Sequence, residues 1–203
     1  MSDDLRPQRL YAGCMEEIKL RIGLVRAITS GALSVAGRED FSAELACIQL
    51  RKTLELLAFA SLVANKDKYA AAHSDFAGHW NAKRLLANLA RIHPYFYPTP
   101  IALDQVDSAG IKNFRNVSEP YLSREDFVFL YDTTSQALHS RNPFRTDPAV
   151  IDFRVGVAEW VGRIQTLLNM HYMRLVDSDT LWVVIMKSPD DGKVHVMRAE
   201  ARA

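Results

Sequence analysis

The chain has 203 residues, 48% hydrophobic and 24% charged, with nine Gly and eight Pro; that composition excludes wholesale disorder and a fibrous or linker-dominated chain. Lys+Arg total 25 against 24 Asp+Glu, so a net charge of +1 provides no global field toward nucleic acid or membrane, and any such contact would need a local patch. Cys14 and Cys47 form no disulfide framework and indicate free thiols in a reducing compartment. The first ten residues, with Asp3, Asp4, Arg6 and Pro7, lack the apolar stretch of a secretory signal. The longest strongly apolar run, Leu56–Ala64, is far short of the roughly 20 residues that span a bilayer. The expectation is a soluble, cytoplasmic protein without membrane contact.

Residues from about Leu10 to Thr29 place Leu10, Cys14, Ile18, Ile22 and Val25 at helical steps and predict an amphipathic helix ending near Ser30-Gly31. After a loop, Asp40 or Ser42 is positioned to cap a second helix, which should reach about Ala64 or beyond because no Gly or Pro interrupts Phe41 to Ala77. A third helix fits Asn81–Ile92 and is closed by Pro94. Residues 94–122, punctuated by Pro94, Pro98, Pro100, Gly110 and Pro120, read as an irregular insertion with room for a short β-ribbon. Ser123 opens the next helix in a capping-box pattern with Asp126, running to about His139. Asp147-Pro148 reads as the start of a last helix carrying Phe153, Val157, Trp160, Ile164 and Leu168 to about Tyr172. Thr180–Met186 and Val194–Arg198 flank a Pro-Asp-Asp-Gly turn and read as a β-hairpin. The expected fold is therefore mainly α, a bundle of about five helices over residues 1–175 with the insertion at about 94–122, followed by a C-terminal β-hairpin appendage over 176–203.

The second helix is apolar nearly all round, which places it at the centre of its bundle. Arg51 falls on its apolar side with Glu55 close by, and a buried charge costs several kcal/mol unless it is paired. The two should find each other or a partner helix, either as a structural ion pair or as a guanidinium held for phosphate oxygens. The helix Ser123–His139 carries Tyr131, Ser135 and His139 at i, i+4 and i+8 along one edge of its apolar face, followed by Arg141-Asn142. His139 at the negative end of that helix is suited to acid–base work on a phosphodiester, or simply to capping the last carbonyls.

The segments Gln49–Ser61 and Leu130–Phe144 together resemble the HEPN-like helical domains of prokaryotes. There a central helix often reads Arg-x-x-x-Glu and a later one Tyr-x-x-x-Ser-x-x-x-His, matched here by Arg51, Glu55, Tyr131, Ser135 and His139. The resemblance covers about half the chain, near 40–92 and 123–172, and implies a four- or five-helix bundle, often dimeric. Its members serve toxin–antitoxin, phage-defence and RNA-processing systems. Catalytic members are metal-independent ribonucleases in which Arg, usually followed by a polar residue, precedes His by a short spacer. This chain departs from that pattern: Arg141-Asn142 has no His closely following, and seven residues separate Arg163 from His171.

The remaining histidines and the two widely separated cysteines offer no metal-ligand spacing, and phosphate-loop, dinucleotide and nucleophile-elbow motifs are absent. No metal or cofactor is expected. Trp80, Lys83 and Arg84 combine an aromatic with positive charge at a helix start, as a base-stacking platform would, although they equally suit a capped bundle end. The C-terminal hairpin is apolar on both faces, so it should pack on the bundle, pair with the insertion or add strands across a homodimer. The leading expectation is an RNA-directed protein of a defence or toxin-type system acting as a metal-independent endoribonuclease. In it His139 is the acid/base, Arg141 and Asn142 bind the phosphate, and Arg51, Glu55, Tyr131 and Ser135 support them. A homodimer is expected, with an antitoxin or another protein as partner. The alternative is a non-catalytic, homo-oligomeric interaction module for a protein or small ligand.

Overall fold

The computed structural model describes residues 5–73, 78, 80–106, 108, 110, 112–140, 143–144, 151–176 and 179–200. Helix α1 (Arg6–Thr29) buries Tyr11, Met15, Ile18, Ile22 and Val25, a complete helical stripe. The stripe is turned by one residue at its N-terminal end relative to the expected one, for Leu10 is 51% exposed and Cys14 only half-buried. The chain leaves α1 through Gly31, whose φ of +76° lies in the left-handed region open to glycine, while the Leu33 N–H returns to the Ala27 carbonyl. Helix α2 (Glu39–Ala64) starts without a side-chain cap: Asp40 pairs with Arg38, and Ser42 accepts from the Val35 N–H instead. As its all-round apolarity predicts, α2 is central, packing on α1 and on the two helices α4 (Ala82–Ile92) and α5 (Arg124–Ala137).

Absence of Gly and Pro did not carry α2 onward. The Asn65 side chain donates to the Ser61 carbonyl and its backbone turns to φ −120°, ψ 18°, so the chain breaks there and resumes as the short α3 (Lys66–Ala72). Side chains that bond their own backbone compete with helix continuation, and Asn does so readily. Asn81 and Ser123 cap α4 and α5 by accepting from the N–H groups of Arg84 and Asp126. Asp126 completes no reciprocal box; its carboxylate faces Arg163 at 3.3 Å.

The expected mainly-α class is overturned. Among the described residues six helices accompany a five-stranded antiparallel sheet, with 53% helix and 18% strand, an α/β fold. The ribbon expected in the insertion is the pair β1 (Thr99–Val106) and β2 (Lys112–Asn116), and the C-terminal hairpin is β4 (Thr180–Ile185) with β5 (His195–Glu200). What joins them is β3 (Met170–Arg174), paired to both β1 and β4, so that the sheet order is β2-β1-β3-β4-β5. The helical period carried through Leu167, Leu168 and His171 concealed β3, but α6 (Val157–Leu168) ends at Leu168. Leu167-Leu168 followed by Asn169, Met170 and His171 fits either period, and the pairing on both sides of β3 decides it. Asp147-Pro148, the expected start of α6, lies outside the described residues, but the helix begins only at Val157: residues 151–156, Phe153 among them, are not helical, and Gly156 precedes the first turn. One core unites the layers: Trp160, Ile164 and Leu167 of α6, the α1 stripe, α2, and Met173, Trp182 and Val184 of the sheet. Only Thr99 and Pro100 of β1 pair with β3, so the rest of the β1–β2 ribbon extends as an arm exposing Leu103, Val106 and Phe114.

Candidate functional site

Packing of α2 on α5 brings four of the expected residues together. Arg51 reaches Glu55 one turn later with Nε at 3.2 Å from the carboxylate. Its guanidinium also donates to the Tyr131 hydroxyl at 2.7 Å, to the Ser135 hydroxyl and, at 3.5 Å, to the Tyr131 carbonyl. The same group lies 4.1 Å from the Tyr131 ring centroid, which stacks in turn on Phe127. Arg51 and Glu55 side chains are 21% and 25% exposed, so the pair is neither solvated nor fully dry. Burial raises the Tyr131 pKa, the Arg51 charge opposes that and Glu55 adds to it, so the phenol stays protonated and accepts from Arg51 while remaining a donor. Nearly all the guanidinium donors are therefore occupied by protein. Such a cluster clamps two helices in register; a phosphate would have to displace one of these partners.

His139 stands just beyond the end of α5, exposed, with its backbone N–H on the Gln136 carbonyl. Among the described residues no side-chain bond joins it to Arg51, Glu55, Tyr131 or Ser135. Arg141 and Asn142, expected to complete the phosphate site, lie outside the described residues. Among the described residues nothing gives this exposed imidazole the orienting hydrogen bond that general acid–base catalysis uses.

Trp80, Lys83 and Arg84 come together on a different face. Trp80 is 68% exposed immediately before α4, and with Asn81, Lys83, Arg84 and Leu85 it lines a concavity of about 520 Å³. Lys83 and Ala87 are shared with a second concavity of about 600 Å³, which Arg124, Phe129 and Arg154 also line. Lys83 forms an exposed ion pair with Asp132 at 2.6 Å. The Arg124 and Arg154 guanidinium groups lie over the rings of Phe96 and Phe129 at 5.2 and 3.7 Å. Arg154 adopts φ +61°, a left-handed conformation in which its N–H bonds the Asp152 carboxylate at 2.7 Å. Exposed aromatic and cationic side chains thus border two adjoining hollows along the α4–α5 face.

A third group went unread in the sequence. His171 of β3 is completely buried, its Nδ1–H donating to the Leu168 carbonyl at 2.8 Å, and its Nε2 accepting from the Tyr11 hydroxyl at 2.7 Å. Burial lowers the His171 pKa to about 4 and raises that of Tyr11, so both are neutral at physiological pH. Tyr11 packs edge-on against Trp182 at 5.7 Å. The pair is 160 residues apart in sequence, and no local pattern marks it. Burial also lifts the Cys14 thiol to about 11, so it is inert as a nucleophile. Among the described residues no three His, Cys, Asp or Glu side chains converge for a metal ion, and no helix is long and apolar enough to cross a membrane. No protein-family model, curated protein or solved structure matches the chain.

Proposed function

We propose that the protein is an RNA-directed binding protein that takes single-stranded RNA along the α4–α5 face. The observation that carries this reading is the exposed Trp80 ring beside Lys83 and Arg84, at the mouth of a hollow continuing toward Arg124 and Arg154. Every base has a π-face, so an exposed indole accepts any of them, and the cations neutralise the following phosphates. The resemblance to HEPN-like domains implies the same ligand class. A local basic face also explains how a chain of net charge +1 would hold a polyanion. Cleavage forms no part of the proposal, because Arg51 is engaged by protein and His139 has no orienting partner among the described residues.

The test is fluorescence anisotropy with a labelled single-stranded RNA, using wild type, Trp80→Ala and Arg84→Ala. Loss of one stacking partner weakens binding about tenfold or more, and loss of Arg84 flattens the dependence on salt. Folded wild type that leaves the RNA free at low salt, or a Trp80→Ala variant that binds equally well, sinks the reading. Gel analysis of the same RNA after incubation with wild type and His139→Ala detects cleavage if it occurs.

A further inference from the structure

Past the far end of α4 the surface turns toward the sheet, and a third concavity, of about 360 Å³, opens there. It adjoins the hollow bordered by Arg154, because Arg124 and Glu125 line both. In the segment Tyr95-Phe96-Tyr97 that follows α4, Phe96 and Tyr97 turn into the core while Tyr95 stays 62% exposed. The Tyr97 hydroxyl donates to the Leu122 carbonyl at 3.1 Å and fixes one wall against the approach to α5. On the opposite wall, strand alternation buries His171 and Met173 of β3 and turns Tyr172 and Arg174 to the other face, with Tyr172 opposite Thr99 of β1. Three tyrosine rings that reach solvent, Tyr95, Tyr121 and Tyr172, therefore border one hollow.

The charge around these rings is cationic. Arg174 lies over the Tyr95 ring at 5.0 Å and Arg124 over the Phe96 ring at 5.2 Å, and among the described residues neither guanidinium has a carboxylate at ion-pair distance. Along the three hollows the lining cations are Lys83, Arg84, Arg124, Arg154 and Arg174, against Glu125 alone. Asp132 offsets Lys83, which leaves four arginines to one acid on a chain whose net charge is only +1. Tyrosine-lined grooves also take proline-rich peptides, but such a peptide brings no negative charge to these arginines, whereas a nucleic-acid strand does.

Spacing sets how much strand is held. Trp80 precedes α4 and Tyr95 follows it, so the two exposed rings stand at opposite ends of an 11-residue helix, about 16 Å at 1.5 Å per residue. A stacked strand rising about 3.4 Å per nucleotide covers that distance in about five nucleotides. Arg124 and Arg154 border the hollow between the two ends, where the intervening phosphates would pass.

We infer that the tyrosine hollow is the second stacking platform of the RNA site, so that the protein takes a single strand of about five or six nucleotides held between Trp80 and Tyr95. This rests on the reading of the α4–α5 face as an RNA site and fixes the length of strand which that site accepts.

Fluorescence anisotropy with a labelled trinucleotide, hexanucleotide and nonanucleotide of single-stranded RNA tests it. For wild type, affinity rises about tenfold or more from the trinucleotide to the hexanucleotide and then levels off. Tyr95→Ala weakens the hexanucleotide about tenfold, and Tyr95→Phe, which keeps the ring, recovers what Tyr95→Ala loses. Arg174→Ala, another exposed change, weakens the hexanucleotide and flattens its salt dependence. Hexanucleotide binding that falls in Trp80→Ala but is unchanged in folded Tyr95→Ala and Arg174→Ala overturns this inference and leaves the RNA reading standing. A trinucleotide bound by wild type as tightly as the hexanucleotide does the same. Wild type that binds none of the three overturns both, as does Tyr95-dependent binding of a labelled proline-rich peptide in place of RNA.

Discussion

Two polar clusters hold this molecule together in opposite ways. The Arg51 clamp joins α2 to α5 with a charge, at partial exposure, and surrounds that charge with a carboxylate, two hydroxyls, a carbonyl and an aromatic face. The Tyr11–His171 pair joins α1 to the sheet with no charge at all, at complete burial. A guanidinium cannot shed its proton, so it must be satisfied where it lies; an imidazole can, and burial makes it do so. The buried pair should therefore weaken in mild acid.

The largest effect should come from His171→Ala, which opens a void and strands the Tyr11 hydroxyl and the Leu168 carbonyl; about 4 kcal/mol is expected in chemical denaturation. Next is the pH response. The folded pKa of His171 lies near 4, below its ordinary 6.5, so the unfolded chain binds the proton first. Its contribution is complete above pH 6.5 and is lost as pH falls toward 4, a decline of roughly 3 kcal/mol. Denaturation curves of wild type and His171→Gln across that window check this, and equal slopes would refute the buried neutral imidazole.

On the other side of the comparison, Arg51→Ala takes the guanidinium away from Glu55, the Tyr131 hydroxyl and Ser135, whose own hydroxyl keeps its bond to the Tyr131 carbonyl, and should cost about 2 kcal/mol in chemical denaturation. Tyr131→Phe removes one hydrogen bond but keeps the ring beneath the guanidinium and should cost about 1 kcal/mol. Smallest of all is Lys83→Met, which breaks an exposed pair with Asp132; its effect on stability should stay within about 0.5 kcal/mol.

Much of the helical part was legible from residues alone. Ser123 was placed at a helix start because its side chain satisfies an otherwise idle N–H group, and it does so; Asn81, read only as the first residue of its helix, turns out to be that helix's cap. Arg51 was expected to seek a partner because charge on an apolar helix face is costly, and the sites at Tyr131 and Ser135 followed from their spacing on one edge of α5. The break at Asn65 was not legible, for it depends on the side chain folding back on Ser61 rather than on a Gly or Pro. His171 was assigned to a helix because five residues of β3 carry too few positions to separate one period from the other.

What the sequence by itself determined is local: most of the helix spans, the cap at Ser123, the turn between β4 and β5, and the need of Arg51 for company. The class of the fold was decided only in three dimensions, because β3 becomes a strand through hydrogen bonds to β1 and β4, which lie about 70 residues before it and just after it. The same holds for Tyr11 on His171, which acquire their chemistry from each other across 160 residues of chain. Periodicity reports the face a residue turns toward the core, whereas hydrogen bonding and burial depend on what the rest of the chain brings to meet it.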